Sequence, residues 1–275
     1  MKSSRVKFYV AGTGIIIIAV LLVLIYLMGS PGEKKETLPE IMKDAVLHET
    51  GKISLFGLKD VNPALISGFV VTVSILFFAV LIRIFVIPKF SYIPGKFQMV
   101  LELAVEYFDN TAKTNSPHHN SFLGAYIFGA GAYIFLGTIF ELFGIQAVTT
   151  HGSIIALPAP LADINGAISM GCLSYLAILC GGIRHNGLRG ALSALKEFSL
   201  PISMSFRLFG ALLSGMLVTE LVYYSIYLSI GIPVIVAVMF TLLHAIIQTY
   251  VLTMLTSVFY GEVTEPPEKK PELEA

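Results

Sequence analysis

Tryptophan is absent from the 275 residues, and cysteine nearly so: only Cys172 and Cys180 occur, both in an apolar stretch. Two thiols without a ligand cluster argue against a disulfide scaffold and against a zinc site. Without Trp, an aromatic belt at a membrane interface falls to Tyr and Phe. Charge is scarce as well. Asp, Glu, Lys and Arg make up 13% of the chain, against about 25% in soluble proteins. They cancel to a net charge of zero, which removes the basic field that nucleic acid requires. No G-x-x-x-x-G-K-[ST] loop and no H-E-x-x-H occurs, so neither nucleotide hydrolysis nor zinc proteolysis is indicated. No serine stands in a G-x-S-x-G setting. No cofactor and no metal is implied. What is present is 55% hydrophobic, and the composition is that of an all-α polytopic membrane protein.

Residues 1–29 combine a basic start, MKSSRVK, with a long apolar run, and read as a signal anchor or a signal peptide. Residues 30–62 are mixed in charge and read as an external linker. The membrane domain is expected over 63–262 and a short charged cytoplasmic tail over 263–275. Within the domain the first helix covers about 63–87 and ends on Arg83, Pro88 and Lys89, a basic stop. The segment 97–113 is amphipathic, with Glu102, Glu106 and Asp109 on one face. It is too charged to span and is expected on the cytoplasmic surface. A span follows over 121–146, and then a loop over 147–162 without Lys or Arg. A helix runs from Asp163 to about Gly182, and an amphipathic segment covers 188–198. Two long helices, 199–229 and 233–260, form a tilted C-terminal hairpin. Lys and Arg gather in the segments assigned inside, as the positive-inside rule requires. His118 and His119 are adjacent, but no further metal ligand is evident near them.

The stretch 201–224, PISMSFRLFGALLSGMLVTELVYY, is apolar enough to cross a bilayer yet holds Arg207. An arginine at mid-membrane costs about 2.5–3.5 kcal/mol on the most lenient insertion scale, and the guanidinium does not shed its proton in proteins. It must therefore face protein, water or a counter-charge. Ala211, Ser214 and Val218 follow on its face, with Gly210 and Gly215 beside them. Small residues let a neighbouring helix come close. The pattern is a fixed cation on a smooth surface.

This stretch resembles the fifth membrane helix of subunit a of the rotary ATP synthases, whose signature is S-x-x-x-R-L-F-G-N. Here it reads Ser203-Met-Ser-Phe-Arg207-Leu208-Phe209-Gly210-Ala211. Ile247-Gln248-Thr249-Tyr250-Val251 with Leu255-Thr256, and Asp163-Ile164-Asn165 after a Pro-rich loop, are similar to two further family motifs. The likeness covers roughly 60–262. It implies five membrane-embedded family helices, with the N-terminal segment as an addition. It also implies a stator subunit that offers two offset half-channels to H⁺ or Na⁺, and ion flow that drives ATP synthesis made elsewhere. The partners implied are a c-type rotor ring and a b-type stalk subunit in a cell membrane, and a bacterial one is suggested by the anchor-like start.

Under that resemblance Arg207 holds the rotor carboxylate, and Gly210, Ala211, Ser214 and Gly215 form the rotor-facing surface. The polar groups Glu141, Asp163, Asn165, Glu220, Thr241, His244 and Gln248 are then candidates for an outer path. Below them Thr249, Thr253, Thr256 and Tyr260 form a second stripe, for which back-bonding to helix carbonyls is the plainer reading. Three departures from the family stand out, the first being Ala211 where it often carries Asn. Met216 and Thr241 occupy positions where it often carries Glu or His, while Glu220 and His244 lie about one turn away. For Asp163 the simpler reading is a helix N-cap. The rival function, a secondary ion or solute transporter, would call for two similar halves, and no such repeat is visible.

Overall fold

The computed structural model describes residues 52–55, 58–150, 152, 154–224 and 232–266. The signal-anchor or signal-peptide segment 1–29, most of the linker 30–62, the turn 225–231 and most of the tail lie outside the described residues.

Among the described residues six long helices carry the fold. α1 (Pro63–Leu81) starts where Asn62 caps it, its side-chain oxygen accepting the Ala64 N–H at 2.9 Å, with Pro63 in the first turn. The helix then loosens into a π turn, Ile82–Val86, and a 3₁₀ turn, Ile87–Lys89. Pro88 is the cause: it lacks an N–H and crowds the carbonyl four residues back, so the ladder cannot close normally before it. α2 (Lys96–Asn115) and α3 (Ser121–Ile139) follow, and α3 tightens into a 3₁₀ turn, Phe140–Phe143. α4 (Ile164–Lys196), α5 (Ser199–Tyr224) and α6 (Ile232–Thr264) complete the set.

The centre of the bundle is α6, which packs on α3, α4 and α5. Ile127 and Ile134 of α3, Ile178 of α4, Leu208 of α5 and Tyr260 of α6 meet there with almost no exposure. α1 contributes little to this core and exposes Leu65, Phe69, Val73, Phe77 and Val80. Such a helix suits a lipid surround, where apolar side chains need no protein cover. Among the described residues four helical segments are long and apolar enough to span a membrane: Pro63–Lys89, Ser121–Phe143, Ile164–Lys196 and Val234–Thr264. The mainly helical, multi-pass membrane architecture is therefore as expected, while α5 is not among these four.

Three segments differ from the sequence reading. The stretches assigned to the linker and to the loop 147–162 contain short antiparallel hairpins, β1 (Ile53–Leu55) with β2 (Leu58–Val61) and β3 (Gln146–Val148) with β4 (Ile154–Ala156). They are tied together: Thr150 donates its N–H to the Lys52 carbonyl at 3.0 Å, and the Ser54 and Thr150 hydroxyls lie 3.0 Å apart. Strands of three or four residues are too short to show a period in the sequence. The helix that opens at Asp163 continues beyond Gly182 and breaks at Gly187, whose φ of 57° and ψ of −134° are closed to most side chains. The chain reverses there and runs back along itself. Gly190 packs directly on the Gly182 backbone, and the Tyr175 hydroxyl donates to the Ala194 carbonyl at 3.1 Å. The amphipathic α2 packs its final turns on α3 and α6: Asn115 donates to the Ser257 hydroxyl at 3.1 Å, which donates to the Thr111 carbonyl at 3.2 Å. Glu102 and Glu106 stay exposed, while Asp109, paired to Lys113, lies against Gly124 of α3.

Candidate functional site

α5 and α6 are antiparallel neighbours. Met204, Leu208 and Leu212 point α5 into the core. Ser203, Phe206, Arg207, Gly210 and Ser214 take the other side and are exposed, with Ala211 partly so. Helical spacing alone forces this division, because residues three, four and seven apart share a face. Arg207 thus projects from a surface that is otherwise small or apolar. Among the described residues it has no ion pair and no side-chain hydrogen bond. α6 continues the open face with Met239, Leu243, Ile246 and Tyr250.

Gln248 is the buried counterpart. It is 5% exposed, and its Nε2 donates to the backbone carbonyl of Arg207 at 3.2 Å. The amide therefore links α6 to the turn of α5 that carries the cation, and leaves the guanidinium itself free. Its contact is with backbone, a partner no spacing argument identifies.

One residue assigned to the open face lies elsewhere. Gly215 is buried in the α5–α6 seam, where a Cβ would stand 3.2 Å from Nδ1 of His244. The correction follows from the helix period: eight residues past Arg207 rotates a side chain roughly 80° off its face. His244 sits half-buried between this glycine and the ring of Phe240, whose centroid is 5.8 Å away. Glu220 lies in α5 where only the backbone is described.

The other polar residues divide into two groups. Glu141 is half-buried in the 3₁₀ turn after α3, and that turn packs on α6. Gly131 of α3 lies against Thr249 and Phe122 against Tyr260, so α3 runs antiparallel to α6 and brings its outer end near the start of α6. Asp163 and Asn165 instead border a cavity of about 720 Å³ between α1, α3 and α4. Asp163 is the N-cap of α4, accepting the N–H groups of Asn165 at 3.1 Å and Gly166 at 3.4 Å. Its second oxygen accepts from Asn62 at 3.0 Å. Neither α5 nor α6 lines this cavity, so Asp163 and Asn165 are not gathered with Gln248 and His244. Asn62 is a site residue that spacing arguments passed over. Its signal was the Asn-Pro pair before an apolar run, a helix start.

The lower stripe is structural for the most part. Thr253 donates to the Thr249 carbonyl at 2.7 Å and Thr256 to the Leu252 carbonyl at 2.8 Å. Only the Thr249 hydroxyl is buried without a partner among the described residues.

Comparison with known sequences bears directly on this arrangement. The sequence profile of the family described as ATP synthase A chain matches residues 65–261.

The chain belongs to the ATP synthase A chain family.

Two relatives illustrate the distance. ATP synthase subunit a of Aeromonas salmonicida (strain A449) is 25% identical over 156 residues, covering 48% of this chain and 60% of that protein. ATP synthase subunit a of Sulfurihydrogenibium sp. (strain YO3AOP1) is 25% identical over 193 residues, 64% of this chain and 86% of that protein. The match runs from within α1 to within α6, and it includes Arg207, Gln248 and Asp163.

Proposed function

We propose that this chain is the stator-side membrane subunit of an ATP synthase, and that Arg207 is the charge against which a c-type rotor ring turns. The observation that carries the reading is the unpaired, exposed guanidinium on a face of small and apolar residues. A rotor carboxylate facing lipid is neutral, since a bare charge there is too costly. Beside Arg207 it ionises, and the cation then separates an entry path from an exit path. Each charge that crosses 100 mV releases about 2.3 kcal/mol, so several crossings drive one synthesis event on subunits other than this one.

The entry path is assigned to Glu141, Glu220 and His244, with Gln248 setting the position of Arg207. Asp163 and Asn165 belong to the wall of the separate cavity. α5 acts as the fifth membrane-embedded helix, a b-type stalk subunit holds the chain still, and the coupling ion is H⁺ or Na⁺. The setting is a bacterial plasma membrane. The test is Arg207→Ala in the assembled, reconstituted complex. We expect ATP synthesis driven by an ion gradient to vanish while the complex still assembles. Synthesis at the wild-type rate in that variant refutes the reading.

A further inference from the structure

At the basic end of the bundle, a second cavity of about 420 Å³ lies between the α2–α3 connection, the start of α3 and the end of the first half of α4. Its wall carries four basic groups, His118, His119, Arg184 and His185. The rings of His119 and His185 are stacked with centroids 3.6 Å apart. Among the described residues no acid lines this cavity. Glu262 and Glu265 open into an adjoining pocket that shares only His118 with it. Arg184 is exposed and makes no ion pair among the described residues. Two stacked imidazoles stand beside a permanent cation, and among the described residues the wall contains no acid to balance it. An anion in the cavity would balance it.

The surroundings narrow the class of anion. Asn120 and Ser121 line the cavity as donors, and no side chain caps the first-turn N–H groups of α3; such groups favour phosphate oxygens. The cavity is also continuous with an apolar track. Phe122 and Cys180 lie in its wall, and Leu173, Leu176, Cys180 and Ile183 form one exposed stripe along α4. Ten residues of helix give that stripe a length of about 15 Å, enough to lie along much of one acyl chain. A free phosphate has no use for it.

We propose that this cavity is a binding site for the headgroup of an anionic phospholipid, with the phosphodiester against Arg184 and the His119–His185 pair and an acyl chain along the α4 stripe. The site joins the α2–α3 connection to α4 at the level where Tyr260 of α6 closes the cavity. A bound lipid would hold these three elements together.

The test uses native mass spectrometry on the detergent-solubilised complex, titrated with phosphatidylglycerol, phosphatidylcholine or inorganic phosphate. The wild type is expected to retain one phosphatidylglycerol on this chain. The Arg184→Gln/His119→Gln variant should bind it at least about tenfold more weakly, as loss of charge-assisted hydrogen bonds implies. Arg184→Lys should keep most of the binding. Because Arg184 is exposed, the single Arg184→Gln variant serves if the double variant does not assemble. Equal retention by wild type and variant overturns the proposal, and so does equal binding of the two lipids. Displacement by millimolar inorganic phosphate would mark a free-anion site and overturn the lipid assignment.

Discussion

Gln248→Leu separates the two things a buried amide can do at this place. The change keeps the side-chain volume roughly constant in a position that is 5% exposed, so it leaves no large cavity. It removes one hydrogen bond, from Nε2 to the Arg207 carbonyl, at 3.2 Å. That length lies at the long end of the normal range. The carbonyl is not stranded, because the helical ladder of α5 supplies it with the N–H four residues on. The full penalty for a buried, unsatisfied acceptor therefore does not apply, and the stability cost should be below about 1 kcal/mol. The variant should insert, assemble and resist heat almost as the wild type does. Transport should behave differently. Without the pin, the turn that carries Arg207 loses its register against α6. Loss of a single interaction of about 1.4 kcal/mol from the translocation barrier slows it about tenfold. The assay is ATP-driven ion pumping into vesicles by the reconstituted complex, read beside a thermal-unfolding curve. Normal pumping would falsify the role given to Gln248. A variant that fails to accumulate would show that the amide is structural instead.

Other outcomes follow from the same contacts. Asp163→Asn keeps the cap through its one carbonyl oxygen but turns an NH2 toward the Asn62 amide and loses that link, so stability should fall by about 1 kcal/mol while pumping stays near wild type. Asp163→Ala should cost about 1 kcal/mol through the lost cap; a pumping defect in the Asn variant would return this acid to the ion path. Thr253→Val removes a hydroxyl already committed to the Thr249 carbonyl and should leave pumping unchanged, with a stability loss of about 0.5–1.5 kcal/mol for the hydrogen bond. A large pumping loss would mean the stripe conducts. Gly187→Ala forces a side chain into a backbone geometry it resists, at about 1–3 kcal/mol. Asn should not rescue it, since a ψ of −134° lies outside the left-handed helical region that Asn tolerates. Thermal unfolding of the purified variants reads both.

The membrane class, the extent of α1 and α3 and the prominence of Arg207 were all legible in the chain by itself. Each rests on a local quantity: the length of an apolar run against bilayer thickness, the residue before a helix start, or the cost of one charge in hydrocarbon. Even the cap at Asp163 could be read from its position. What the residues could not declare was the rotation of one helix against another. The helix period sets Gly215 and Gly210 on different sides of α5, but only tertiary packing puts His244 against the first and leaves the second open. The partner of Asp163 is Asn62, 101 residues away, and that of Gln248 is a backbone carbonyl 41 residues away. Periodicity assigns a residue to a face, but only the packed bundle decides what that face meets.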